Sequence, residues 1–218
     1  MSEQIQNDEA CWSCGASSSG HFCRACGRIQ PVQTSIDYFT FIGIPQSYQI
    51  DSAELEHLFY DLSRRFHPDY FANATAQERA CSADRSSMLN DAYRTLKDKY
   101  RRARYLLKLH NVNLSEGKTP PDLLAEVFEL NEQMEQMRQA RLNGNIGEAE
   151  SLKQDLEQMR RVLLQRVAEL EETINTAFGR WQASVDPNAR RRALEEVAEA
   201  LSQTTYLNNL IEDIEELY

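Results

Sequence analysis

The chain has 218 residues, 41% of them hydrophobic and 27% charged, with a net charge of −10, the balance of a soluble globular protein. No apolar run approaches the roughly 20 residues that span a bilayer. The opening MSEQIQNDEA lacks the basic start and apolar core of a signal peptide, so a membrane role is excluded and the expected location is cytoplasmic, or a matrix after processing.

Charge and composition divide the chain into a Cys/Ser/Gly-rich module (1–35), a basic and apolar helical segment (36–112), a linker (113–119) and an acidic helical segment (120–218). Residues 119–218 hold twenty Asp/Glu against ten Lys/Arg, whereas 37–118 hold eleven against twelve. The acidic half is unsuited to nucleic acid.

Four of the five cysteines fall in Cys11-x-x-Cys14-Gly15 and Cys23-x-x-Cys26-Gly27. Two residues between thiolates let one turn present both sulfurs to one ion, and the glycine that follows permits left-handed backbone. With no export signal, these pairs point to a closed four-sulfur metal site rather than disulfides. Structural zinc is the expected occupant, with tetrahedral iron as its chemical competitor. Two other readings of the pairs are weaker. A redox CxxC requires a strand–helix setting that is missing here, and a nucleic-acid ribbon would have only Arg24 and Arg28 as basic residues. His21 is close enough to substitute as a ligand, but reads as an exposed loop residue beside four cysteines. Trp12 reads as a cover over the site.

In the second segment, Asp51-x-x-Glu54 reads as an N-cap with its reciprocal partner, opening a helix whose apolar stripe is Leu55, Leu58, Phe59, Leu62 and Phe66. The helix ends at His67-Pro68, because proline excludes helical geometry from the residue before it and lacks a donor. A second stripe, Cys81, Met88, Leu89, Ala92, Tyr93 and Leu96, predicts an antiparallel partner helix, with Cys81 as a small core residue. Between the two lies RRFHPDYF, a stiff turn projecting an imidazole and a carboxylate. A reading of His67 and Asp69 as an acid–base pair fails, because no nucleophile or substrate loop accompanies them. The blander role of bracing the turn applies at least to Asp69, beside a helix start. Arg64 and Arg65 are a basic face directly before the loop.

In the third segment, Leu123, Val127, Leu130, Met134 and Met137 form one stripe, and Leu152, Leu156, Met159, Leu163, Leu170, Ile174 and Trp181 another, with Gly144 between. Asp186-Pro187 caps a last helix carrying Leu194, Val197, Leu201, Leu207, Leu210, Ile211, Ile214 and Leu217. Its apolar face shifts by about half a turn at Thr204 on ideal helix geometry, so this helix either bends or packs on two sides. A three-helix bundle buries all three stripes. Leu124, Ala125 and Phe128, with Glu129 and Glu132, lie on the face beside the first stripe, where apolar residues commonly just widen the buried face.

DYFTFIGIP, AELEHLFYDLSRRF, HPD and LNDAYRTLKDKYRRARYLL together resemble the J domain in order and spacing. Joined through YLLKLH to an acidic three-helix bundle, the whole resembles the HscB family, and CWSCG with FCRACGRIQP resembles the N-terminal extension of its human-type members. The resemblance implies an all-α protein: a J domain (an antiparallel helical hairpin) and a C-terminal three-helix bundle, preceded by a small zinc-binding module. It implies no catalysis by the chain itself. It implies a co-chaperone of iron–sulfur cluster assembly that stimulates a DnaK/HscA-type ATPase through Arg64, Arg65, His67, Pro68 and Asp69. It further implies that an IscU-type scaffold binds Leu124, Ala125, Phe128, Glu129, Glu132 and, on the last helix, Tyr206. Ala125 is smaller than the methionine often found there. A general J protein whose bundle binds other clients or dimerises is the alternative, and a monomer or weak dimer is expected.

Overall fold

The computed structural model describes residues 9–33, 35–114 and 121–217, residues 121–126 by their backbone alone. Among these, seven α-helices carry the architecture, and the chain falls into two compact units, Met1–Arg102 and Ala103–Tyr218.

The first unit opens with two short hairpins. In one, β1 (Glu9–Ala10) pairs antiparallel with β2 (Ser17–Ser18), and in the other Phe22 bridges Ile29. Helix α1 (Tyr38–Ile42) starts because the Asp37 carboxylate accepts from the amides of Phe39 and Thr40, and stops at Gly43, whose φ of +96° is left-handed. Helix α2 (Ser52–Phe66) is capped by Asp51, which accepts from Ala53 and Glu54, and ends at His67. A 3-10 turn (Pro68–Phe71) follows. The reciprocal capping box belongs to α3 (Ala76–Lys97), between Thr75 and Glu78. Phe59 stacks on Tyr93 at 4.1 Å, and the Phe66 carbonyl accepts from Ser82 at 2.6 Å. Pairing 59 with 93 and 66 with 82 makes α2 and α3 an antiparallel hairpin. Phe39, Phe41, Leu55, Leu62, Phe66, Leu89, Ala92 and Leu96 are buried in this unit. The buried Cys81 thiol, pushed up by desolvation, is a core residue.

Asp98 separates α3 from α4 (Lys99–Leu109), and its carboxylate accepts from the Arg101 amide. In the second unit, α5 (Pro121–Leu142) and α6 (Ile146–Ala183) are joined through Gly144 at φ +70°, and α7 (Pro187–Glu215) starts at the Asp186 cap with proline in its first turn. One apolar cluster gathers Leu130, Met134 and Met137 of α5, Leu156, Leu163 and Val167 of α6, and Leu207, Leu210, Ile211 and Ile214 of α7. At the other end of α6 and α7 the neighbour is α4. His110 meets Trp181 edge-on at 5.0 Å, and Arg104 donates to the Thr205 hydroxyl at 2.8 Å. The phase shift in the last stripe is thus met by packing on two sides. Thr204 lies at the shift, fully buried, its hydroxyl satisfied by the Ala200 carbonyl. No helix among the described residues is long and apolar enough to cross a membrane.

Candidate functional site

The two cysteine half-sites are built alike. In the first, the Cys11 amide donates to the Ala16 carbonyl and the Gly15 amide to the Cys11 carbonyl. In the second, the Cys23 amide donates to Arg28 and the Gly27 amide to Cys23. Gly15 and Gly27 take φ of +73° and +72°, which closes each turn at no steric cost. The four sulfurs lie within 4.8 Å of one another, with Cys11–Cys26 at 3.7 Å and Cys14–Cys23 at 3.8 Å. A tetrahedron with metal–sulfur bonds of about 2.3 Å has edges of about 3.8 Å, so the four cysteines can hold one metal ion. All five cysteines are free thiols.

The electrostatics of the cluster favour a cation. Burial opposes the Cys11 thiolate, but the amides of Cys14 and Ser13 and the neighbouring sulfurs outweigh it and bring the thiol down to about 6. The Cys26 backbone lowers Cys23 against burial. At Cys26 the Arg28 amide favours the thiolate, but burial and the other three sulfurs push the thiol up to about 11. Two sulfurs ionise readily and their charge then resists a further thiolate, a conflict that a bound cation removes.

The indole of Trp12 donates to the Ile29 carbonyl at 2.7 Å and so ties one half-site to the other. Gln30 donates to both the Cys11 sulfur and the Arg28 carbonyl. His21 departs from the expected exposed loop residue. It is half-buried, its ring edge-on to Phe41 at 5.0 Å and Phe66 at 4.9 Å. It stays outside the four-sulfur group because it serves as the acceptor for Arg85.

Arg85, on the apolar stripe of α3, is 3% exposed. Its guanidinium donates to the carbonyls of Gln30 (2.6 Å), Pro31 (2.9 Å) and Gly20 (3.4 Å), and to Nδ1 of His21 at 2.5 Å. Desolvation pulls Arg85 down to about 10, which leaves it charged at neutral pH. Burial, with Arg85 and Arg65 close by, pulls His21 down to about 4, so the imidazole is neutral. The half-buried salt bridge from Arg28 to Glu78, at 3.1 Å, adds a second tie between module and hairpin. Sequence reasoning missed Arg85; the signal was a lone arginine four positions from both Cys81 and Leu89.

At the end of the hairpin, the loop residues His67, Pro68 and Asp69 are all exposed, as are Arg64 and Arg65. Nδ1 of His67 accepts from the Asp69 amide at 3.3 Å and lies 3.5 Å from its carboxylate. The bracing is therefore done by the imidazole, which caps the 3-10 turn, while the Asp69 side chain is left 90% exposed. Below the loop, the Phe66 carbonyl accepts from both Ser82 and Ser86. Arg64 pairs with Asp61 on its own helix, and Arg65 lies over the Phe22 ring.

On α5, Phe128 is 74% exposed and Glu129 and Glu132 are exposed. Leu124 and Ala125 fall within α5, but their side chains lie outside the described residues. Tyr206 is half-buried and packs against the bundle's apolar cluster, as does Val127 next to Phe128, so both ends of this set border one core.

Comparison with known proteins accords with this architecture. Residues 119–215 match the family model described as the HSCB C-terminal oligomerisation domain. An Iron-sulfur cluster co-chaperone protein HscB homolog of Arabidopsis thaliana is 39% identical over 129 residues, covering 58% of this chain but only about half (51%) of that protein. The Iron-sulfur cluster co-chaperone protein HscB of Mus musculus is 29% identical over 212 residues, 94% of this chain and 80% of the mouse protein. The crystal structure of the human co-chaperone protein HscB matches with a TM-score of 0.71 at 26% identity, covering 95% of this chain and 98% of that one. A four-cysteine group, a helical hairpin with an HPD turn and a C-terminal bundle thus occur in one chain that is similar to HscB co-chaperone proteins along nearly its whole length.

Proposed function

We propose that the chain is a co-chaperone of iron–sulfur cluster assembly that stimulates the ATPase of a DnaK/HscA-type chaperone and delivers an IscU-type scaffold to it. The observation that carries this reading is the fully presented HPD turn. Pro68 stiffens it, the His67 imidazole caps it, and the Asp69 carboxylate projects into solvent, with Arg64 and Arg65 exposed at the end of the preceding helix. Such a turn offers both charge signs from a fixed backbone, which favours docking without reorganisation. Hydrolysis belongs to the chaperone; this chain supplies contacts and no reacting group.

The division of labour follows the composition: residues 1–35 hold structural zinc through Cys11, Cys14, Cys23 and Cys26, residues 36–112 engage the chaperone, and residues 120–218 hold the client. Leu124, Ala125, Phe128, Glu129, Glu132 and Tyr206 form the client surface, and the exposure of Phe128 supports its place there. The test is the steady-state ATPase of a cluster-assembly DnaK-type chaperone with this protein and an IscU-type scaffold, added separately and together. Synergy that His67→Gln abolishes is expected; stimulation without synergy removes the client assignment.

The description of the matched C-terminal family as an oligomerisation domain supports a second reading, in which the bundle self-associates. Sedimentation equilibrium across a hundredfold concentration range distinguishes the two.

A further inference from the structure

The cysteine module reaches the chaperone-facing end of α2 through one ring. Phe22 lies one position before the metal-site residue Cys23. The guanidinium carbon of Arg65 sits 5.0 Å from its centroid, and the Phe66 ring 6.0 Å away. The place of this ring is set by the module: Phe22 bridges Ile29, which is 1% exposed and whose carbonyl holds the Trp12 indole. His21, the preceding residue, is clasped by Arg85 and by the rings of Phe41 and Phe66. Phe22 is thus anchored from both sides before Arg65 meets it. Arg64, one residue away, is held on its own helix by Asp61 instead.

We infer that Phe22 is a positioning residue for Arg65, holding its guanidinium beside the HPD turn so that the cysteine module contributes to chaperone engagement. This rests on the reading above that Arg65 contacts the chaperone. An arginine on a protein surface samples many rotamers, and fixing it on binding costs entropy. Stacking on an aromatic face restricts those rotamers beforehand while leaving the N–H groups free to bond a carboxylate.

The test measures affinity for a DnaK-type chaperone with Phe22→Leu, Phe22→Tyr, Arg65→Ala, the Phe22→Leu/Arg65→Ala double variant and His67→Gln, with the Arg65 side-chain protons followed by NMR. Phe22→Leu should weaken binding about two- to fivefold, the range expected for an exposed cation–π contact. It should also move the Arg65 Hδ signals downfield as the ring current is lost, and cost nothing further in the Arg65→Ala background. Phe22→Tyr keeps the ring face and should bind like the parent. A Tyr variant as weak as the Leu variant, or losses that simply add in the double variant, would overturn the positioning role. Parent-like binding by Phe22→Leu while His67→Gln is impaired overturns it too, with the co-chaperone reading intact. Parent-like binding by both His67→Gln and Arg65→Ala removes the co-chaperone reading and the positioning role together.

Discussion

Nη1 of Arg85 lies 2.5 Å from Nδ1 of His21, 64 positions away in the chain. Arginine has no acceptor, so Nδ1 must be the unprotonated nitrogen and the ring proton resides on Nε2. One buried cation thereby selects a neutral tautomer and satisfies three carbonyls of the cysteine module.

Arg85→Met keeps apolar bulk but leaves those carbonyls without their donor, at about 1–3 kcal/mol for the buried Gln30 carbonyl. The expected outcome is release of residues 9–33 from a hairpin that stays helical. Hydrogen exchange checks it: faster exchange at the amides of Cys23 and Gln30, with little change in α2 and α3.

The four sulfurs should bind one zinc ion per chain, counted by elemental analysis. Because the Cys26 thiol is pushed up to about 11, loading the metal-free chain at pH 7.5 must release protons, which a weakly buffered indicator dye detects. Cys14→Ser should lower occupancy and the melting temperature, and the difference from the parent should vanish in excess chelator.

In the C-terminal unit, burial first and then the Arg190 charge hold His110 below its ordinary imidazole value. The unfolded chain takes up a proton near pH 6.5 that the folded chain resists. This contribution to stability is complete above pH 6.5 and is lost as the pH falls below it. Thermal melts at pH 7.5 and 5.5 should show a larger drop for the parent than for His110→Gln.

Phe128→Ala removes a ring that is 74% exposed, so stability should change by no more than about 0.5 kcal/mol. Scaffold affinity should fall about tenfold or more if the ring is an anchor of the client surface. Calorimetric titration against an IscU-type scaffold, paired with a thermal melt, separates the two effects.

The elements legible from the chain were those whose signals are local. Asp51 and Asp186 cap their helices through neighbouring amides, and His67-Pro68 ends α2 by steric exclusion, so a few consecutive residues suffice. The four cysteines were legible because their chemistry requires a fixed spacing. Arg85 and His21 were not: a charge on an apolar stripe, and a histidine in a loop, acquire meaning only from partners more than fifty positions away. The ends of the last stripe were equally open, since its two neighbours, α4 and α5, come from separate parts of the chain.

Each half-site supplies one buried and one exposed cysteine, Cys11 and Cys23 buried and Cys14 and Cys26 exposed. The site therefore has a floor and a door. An incoming thiol or chelator would meet Cys14 and Cys26 first, and Cys11 and Cys23 would be the last to release an ion bound there. Loss of a bound metal would then begin at that face, with the module still held by Arg85 of the helical hairpin.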